Sequence, residues 1–173
     1  YTADEAEFNN AIFGSFPNIL SKRFDSRASI MESNEVKALK SQATKIFQGR
    51  ILRQLTSLLQ QPGFKQTLAN YVRSKATLDE SGVELVKFLK DGTSITQTFD
   101  QNFIDNIVSS EWEAEYTFSD NPTIIVFKKG GNRRSDKLLQ FRYRADARKN
   151  KADNTFNILM RTYVEAGPLI YTL

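Results

Sequence analysis

The chain has 173 residues, a formal charge of +4, and neither cysteine nor histidine. With 40% hydrophobic and 25% charged residues it has globular composition and enough length for one merged core, which excludes wholesale disorder and a disulfide scaffold. Without His or Cys there is no Ser-His-Asp or Cys-His nucleophile system and no Cys/His zinc site, so any metal must be held by oxygen ligands, as magnesium or calcium are.

The elements follow in chain order. Asn9–Leu20 is apolar but interrupted by Gly14 and Pro17, and reads as a short helix followed by a loop. Ser33 or Asn34 caps a long helix in which Val36, Leu39, Ala43, Ile46 and Phe47 recur at helical spacing. Ile51, Leu55, Leu58 and Leu59 carry the stripe to Gln60, with Gly49 as its weak point. Pro62-Gly63 ends this element, and a second helix runs from Phe64 to Ser74. Ser81 and Glu84 match a capping box for a helix through Val83, Val86 and Leu89, which stops at Gly92. Phe99–Val108 is a further helix through Phe103, Ile104 and Ile107.

The period then changes from helical to alternating. Trp112, Ala114, Tyr116 and Phe118 alternate with Glu113, Glu115 and Thr117, the pattern of a half-buried strand with Trp112 on the core side. Asn121-Pro122 is a turn, Thr123–Phe127 an apolar strand and Gly130-Gly131-Asn132 a loop centre. Leu138–Arg144 is the third strand of an antiparallel meander, with Leu139, Phe141 and Tyr143 on the core face and Gln140, Arg142 and Arg144 on the other. The polar stretch 146–153 reads as a loop. Phe156, Leu159, Met160, Tyr163 and Val164 have helical spacing and predict a closing helix, which Gly167-Pro168 terminates before a short edge strand at Leu169–Leu173. The expected class is α+β: a mainly helical part at 1–110, then a three-stranded sheet plus helix at 111–173, in one merged core.

No P-loop, no Gly-x-Gly-x-x-Gly fingerprint and no apolar run near the roughly 18 residues that span a bilayer is present. The chain begins at Tyr1 with an acidic stretch, which reads as a fragment or processed product of an intracellular, cytoplasmic protein.

Charge is laid out in blocks. Residues 1–36 carry a net −3, 37–75 carry eight bases and no acid, 79–127 carry −8, 128–151 carry +8, and 152–173 carry −1. Two basic segments therefore flank an acidic one. The second is the sharper: Arg133, Arg134, Lys137, Arg142, Arg144, Arg148, Lys149 and Lys151 stand close to Phe141 and Tyr143, a mixture suited to gripping phosphates. These eight are the expected nucleic-acid-binding residues, with duplex DNA as the partner, no membrane, and a homodimer permitted.

With no His, acid–base chemistry falls to carboxylates. Glu111, Glu113 and Glu115 would line one strand face roughly 6.5–7 Å apart, and Glu113 or Glu115 with Asp120 is the expected catalytic group of a magnesium-dependent nuclease, Asp120 and Glu113 being the metal ligands. Against that, Arg142 and Arg144 on the same face would neutralise the glutamates by cross-strand pairing.

The segments Lys-Leu-Leu-Gln-Phe-Arg-Tyr-Arg-Ala-Asp-Ala-Arg (137–148) and Arg-Thr-Tyr-Val-Glu-Ala-Gly-Pro-Leu-Ile (161–170) resemble the end of some type II restriction endonucleases. In these an Arg-bearing strand precedes a helix ending in a Tyr-Val-Glu-x-Gly phrase. The resemblance covers about the last third of the chain and implies an α/β core, magnesium and cleavage of duplex DNA. The catalytic signature of that family, Asp followed on the next strand by Asp/Glu-x-Lys, is not matched. Asp120 precedes a strand, but the next strand offers Gln140-Phe141-Arg142, and Glu84-x-x-Lys87 has the wrong spacing. The resemblance thus implies a DNA-recognition region. The competing expectation is an assembly protein of a phage or virion whose opposite blocks pair between subunits.

Overall fold

The structure, a computed structural model, describes residues 3–13, 20–23, 34–76, 84–88, 94–98, 100–117, 122–150, 152, 155–171 and 173. The elements are α1 (Ala3–Phe13), β1 (Leu20–Arg23), α2 (Asn34–Leu59), α3 (Pro62–Ala76), β2 (Glu84–Phe88), β3 (Ser94–Thr98), α4 (Gln101–Ser109), β4 (Trp112–Thr117), β5 (Thr123–Lys128), β6 (Lys137–Asn150), β7 (Thr155–Ala166) and a 3-10 turn at Pro168–Tyr171. The class is α+β.

The helices form where local signals agree with burial. In α2, Val36, Ala43, Phe47, Ile51, Leu55 and Leu59 are all buried, and Gly49 does not interrupt the run because one glycine costs only about 1 kcal/mol. Pro62 takes the first position of α3, where its missing N–H leaves nothing unpaired that was not already so. Asp100 caps α4: its carboxylate accepts from the Phe103 N–H at 3.2 Å. The first helix lies earlier than the apolar run suggests. α1 buries Phe8 and Ile12, one turn apart, and ends at Phe13, before Gly14.

Four expectations about single elements fail. The helix expected from Ser81 is a strand over Glu84–Phe88, paired antiparallel with Ser94–Thr98. The capping box is a local signal, and it loses to the β-branched content of both segments and to an Asp91-Gly92 hairpin dipeptide between them. The closing helix is the strand β7. Its even positions Phe156, Ile158, Met160, Thr162, Val164 and Ala166 alternate with Asn157, Leu159, Arg161, Tyr163 and Glu165. Twelve residues of pairing with β6 override the helical spacing of five. For the same reason the expected loop after Ala145 is strand as far as Asn150. Leu169–Leu173 is no edge strand: Pro168–Tyr171 is a 3-10 turn that buries Leu169 and Ile170.

The sheet therefore has five strands rather than three, in the order β1-β7-β6-β5-β4, all antiparallel. Register decides its faces. Tyr116, Ile124, Phe141 and Val164 align across four strands, and Ala114, Val126 and Leu139 across three. This face meets the helices. Phe8 stacks on Tyr71 at 4.0 Å and lies 5.9 Å from Phe64 and from Phe141, joining α1, α3 and β6. Trp112 is buried and donates its indole N–H to the Ile107 carbonyl at 2.9 Å. Farther along, Ala147 and Ile158 pack with Val36 and Ala43 of α2, where small side chains let helix and sheet approach. The main hydrophobic cluster draws on α1 to α4 and on β4 to β6 alike.

Candidate nucleic-acid interface

The same register sends the alternate residues to the outer face, away from the helices. On β4 these are Glu113, Glu115 and Thr117; on β5, Thr123, Ile125 and Phe127. On β6 they are Lys137, Gln140, Arg142, Arg144, Asp146 and Arg148; on β7, Leu159, Arg161, Tyr163 and Glu165. Tyr163 is 51% exposed. It lies opposite Arg142, while Arg161 lies opposite Arg144.

The β5–β6 loop adds two more arginines and is fixed by its own hydrogen bonds. Gly130 has φ 74°, a left-handed turn position. The Asn132 side chain accepts from the Arg134 N–H at 2.8 Å and the Ser135 N–H at 3.1 Å, and the Asp136 carboxylate accepts from the Asn132 N–H at 2.5 Å. So held, the loop lays Arg133 over the Phe127 ring, 5.2 Å from its centroid, and pairs it with Glu115 through two hydrogen bonds. That pairing, by hydrogen bond first and charge second, raises the Arg133 pKa.

Beneath the loop lies a cavity of about 330 Å³. Thr117, Thr123 and Ile125 form its floor, and Arg133, Arg134, Lys137, Gln140 and Arg142 its walls. No acid lines it. Four of the eight expected nucleic-acid-binding residues thus meet at one place. Arg144 and Arg148 continue the row along β6 with Asp146 between them, alternate positions lying roughly 6.5–7 Å apart. Lys149 belongs to β6 by its backbone, and Lys151 lies outside the described residues.

Asp146 and Glu165 of this face are already engaged. Arg142 meets Glu165 at 3.4 Å, Arg161 meets Asp146 at 2.7 Å, and Arg144 meets the same Asp146 at 3.5 Å. Lys137 donates to Gln140 at 3.2 Å, and Gln140 in turn to Glu165 at 2.7 Å. Among the described residues no carboxylate pairs with Arg134 or Arg148. The expected cross-strand pairing of Arg142 and Arg144 with Glu113 and Glu115 is not formed. β5 stands between them, and register aligns Arg142 with Thr123 and Glu115 with Gln140 through Ile125. Phe141 and Tyr143 are core residues; the exposed aromatic is Tyr163.

The acidic and basic blocks do meet at the edge of the sheet. A groove of about 490 Å³ beside β4 is lined by Glu111, Glu113 and Glu115 together with Lys65, Lys129 and Arg133. Lys129 reaches Glu111 at 3.5 Å. The expected magnesium group is not assembled here: Glu115 is held by Arg133, Asp120 lies outside the described residues, and among the described residues no three acidic groups stand together as metal ligands. No helix among the described residues is long and apolar enough to cross a membrane.

Sequence reading missed Arg161, Tyr163 and Glu165, because it placed them on a helix. The signal that would have found them is the alternation at odd positions of 157–165. No protein family, curated protein or solved structure matches the chain.

Proposed function

We propose that the protein is a nucleic-acid-binding domain that holds the phosphate backbone on the outer face of strands β4 to β7, with duplex DNA the first ligand to consider. One observation carries this reading. Eight bases on this face and its loop (Lys129, Arg133, Arg134, Lys137, Arg142, Arg144, Arg148 and Arg161) stand among five acids (Glu113, Glu115, Asp136, Asp146 and Glu165), and the charged residues described in the lining of its cavity are all bases. Such a face attracts polyanions and releases counterions when it binds them. Tyr163 adds a ring on which an unpaired base would stack.

The test is a fluorescence-anisotropy titration with duplex and single-stranded oligonucleotides at 50 and 200 mM salt. About five phosphate contacts would give a log–log salt slope of about −4.5 for duplex and −3.5 for single strands, a loss of about 100- to 500-fold over that range. Absence of binding at low salt refutes the reading.

A further inference from the structure

The cavity under the β5–β6 loop carries a more specific consequence, which rests on the nucleic-acid reading above. Its four cations do not count equally. Arg133 is neutralised by Glu115 and Arg142 by Glu165. Lys137 is bonded only to the neutral Gln140 amide, and Arg134 has no carboxylate partner among the described residues. Among the described residues the walls therefore hold two cations without a carboxylate partner. A phosphodiester in a continuous strand brings one negative charge, whereas a phosphate monoester brings about −1.5 to −2 at pH 7. The monoester is the better match.

Shape agrees with charge. The cavity, about 330 Å³, is far larger than a bare ion needs and falls at the small end of pockets that enclose organic ligands. Ile125 lies at its base but is itself buried, at 4% exposure, so the polar and charged walls make up most of the surface that a ligand would meet. Arg142 is both a wall of the cavity and the first member of the row that continues through Arg144 and Arg148. A strand lying along that row would end in the cavity. We infer that the cavity seats the terminal phosphate monoester of a nucleic-acid strand, so that the protein binds phosphorylated strand ends in preference to internal sequence.

The experiment compares oligonucleotides of one sequence carrying a 5′-phosphate, a 3′-phosphate or hydroxyls at both ends, at constant salt, against the wild-type protein, Arg134→Ala and Arg148→Ala. One phosphorylated end should bind at least tenfold tighter than the unphosphorylated strand, and which end does so assigns the polarity. Arg134→Ala should bring that preference close to one, while Arg148→Ala should weaken all three ligands alike and preserve it. Equal affinity for all three ligands overturns this inference and leaves the nucleic-acid reading standing. A preference that survives in Arg134→Ala overturns the assignment to this cavity. No binding of any ligand overturns both.

Discussion

Two glycines receive the same substitution and should respond with opposite sign. At Gly49, within α2, an added methyl would find no atom within 4 Å. Alanine there removes backbone freedom from the unfolded chain and adds helix propensity, a gain of about 0.5–1 kcal/mol. At Gly167, between β7 and the 3-10 turn, the same methyl would lie 2.0 Å from the Lys137 carbonyl oxygen and 3.0 Å from the Leu138 carbonyl carbon. Both neighbours are backbone of β6, so no side chain can swing aside. Relief requires moving the turn by more than an ångström, which breaks the 2.8 Å hydrogen bond from the Gly167 N–H to the Leu138 carbonyl and lifts Leu169 and Ile170 from the core. One hydrogen bond, overpacking, and part of two buried aliphatic side chains amount to about 3–5 kcal/mol. At roughly 2–4 °C per kcal/mol for a chain of this size, Gly49→Ala should raise the melting temperature by about 1–4 °C, and Gly167→Ala should lower it by about 6–20 °C. Paired thermal and urea melts followed by circular dichroism read both. A Gly167→Ala protein as stable as wild type would refute the packing of the turn on β6, and with it the end of the sheet from which the cavity is built.

Two further substitutions probe the two faces of the sheet. The Tyr143 hydroxyl is buried, and although Gln48 lies near it, it makes no hydrogen bond of ordinary geometry; burial accordingly pushes its pKa up. Tyr143→Phe should therefore be neutral or stabilising by about 1 kcal/mol in a urea melt, and a loss of more than about 1 kcal/mol would show that the hydroxyl has a partner. On the outer face, Tyr163→Ala should leave stability nearly unchanged, weaken single-stranded binding by about 1–3 kcal/mol and affect duplex binding little; equal losses on both ligands would remove its stacking role.

What could be read from the sequence divides along physical lines. α2 and α3 were legible because propensity, apolar spacing and Pro62 agree over many residues. So were the faces of β4 and the first half of β6, where alternation is clean, while β5 was legible as an apolar strand without assigned faces. β7 was not, because Phe156, Leu159, Met160, Tyr163 and Val164 fit a helical period as well as a strand's. Only pairing with β6 separates the two, and pairing is non-local. Ala145 and Ala147 were too small to advertise the continuation of β6; their size makes sense once α2 is seen packed above them. The charge blocks were visible by counting, but their partners were not. Arg142 and Arg144 pair with Glu165 and Asp146, not with the acidic segment, and this follows from the order of strands rather than from composition. Of the eight basic residues, Arg133, Arg134, Lys137 and Arg142 share one cavity, and Arg148 lies apart along the strand.

The two basic segments meet beside β4, where Lys65 lines a groove with Lys129 and Arg133, but they also supply separate faces. Lys45 and Arg53 are exposed on α2, on the helical side, while Arg134 and Arg148 belong to the outer face and its loop. The decisive measurement is DNA affinity by anisotropy at 50 mM salt for two charge-reversed pairs that change the net charge equally: Arg134→Glu with Arg148→Glu, and Lys45→Glu with Arg53→Glu. Among the described residues no ion pair of the outer face involves any of these four residues. The outer-face pair should lose most of its affinity, at least tenfold more than the α2 pair. The opposite ranking, or equal losses, would contradict the assignment of the outer face as the binding surface.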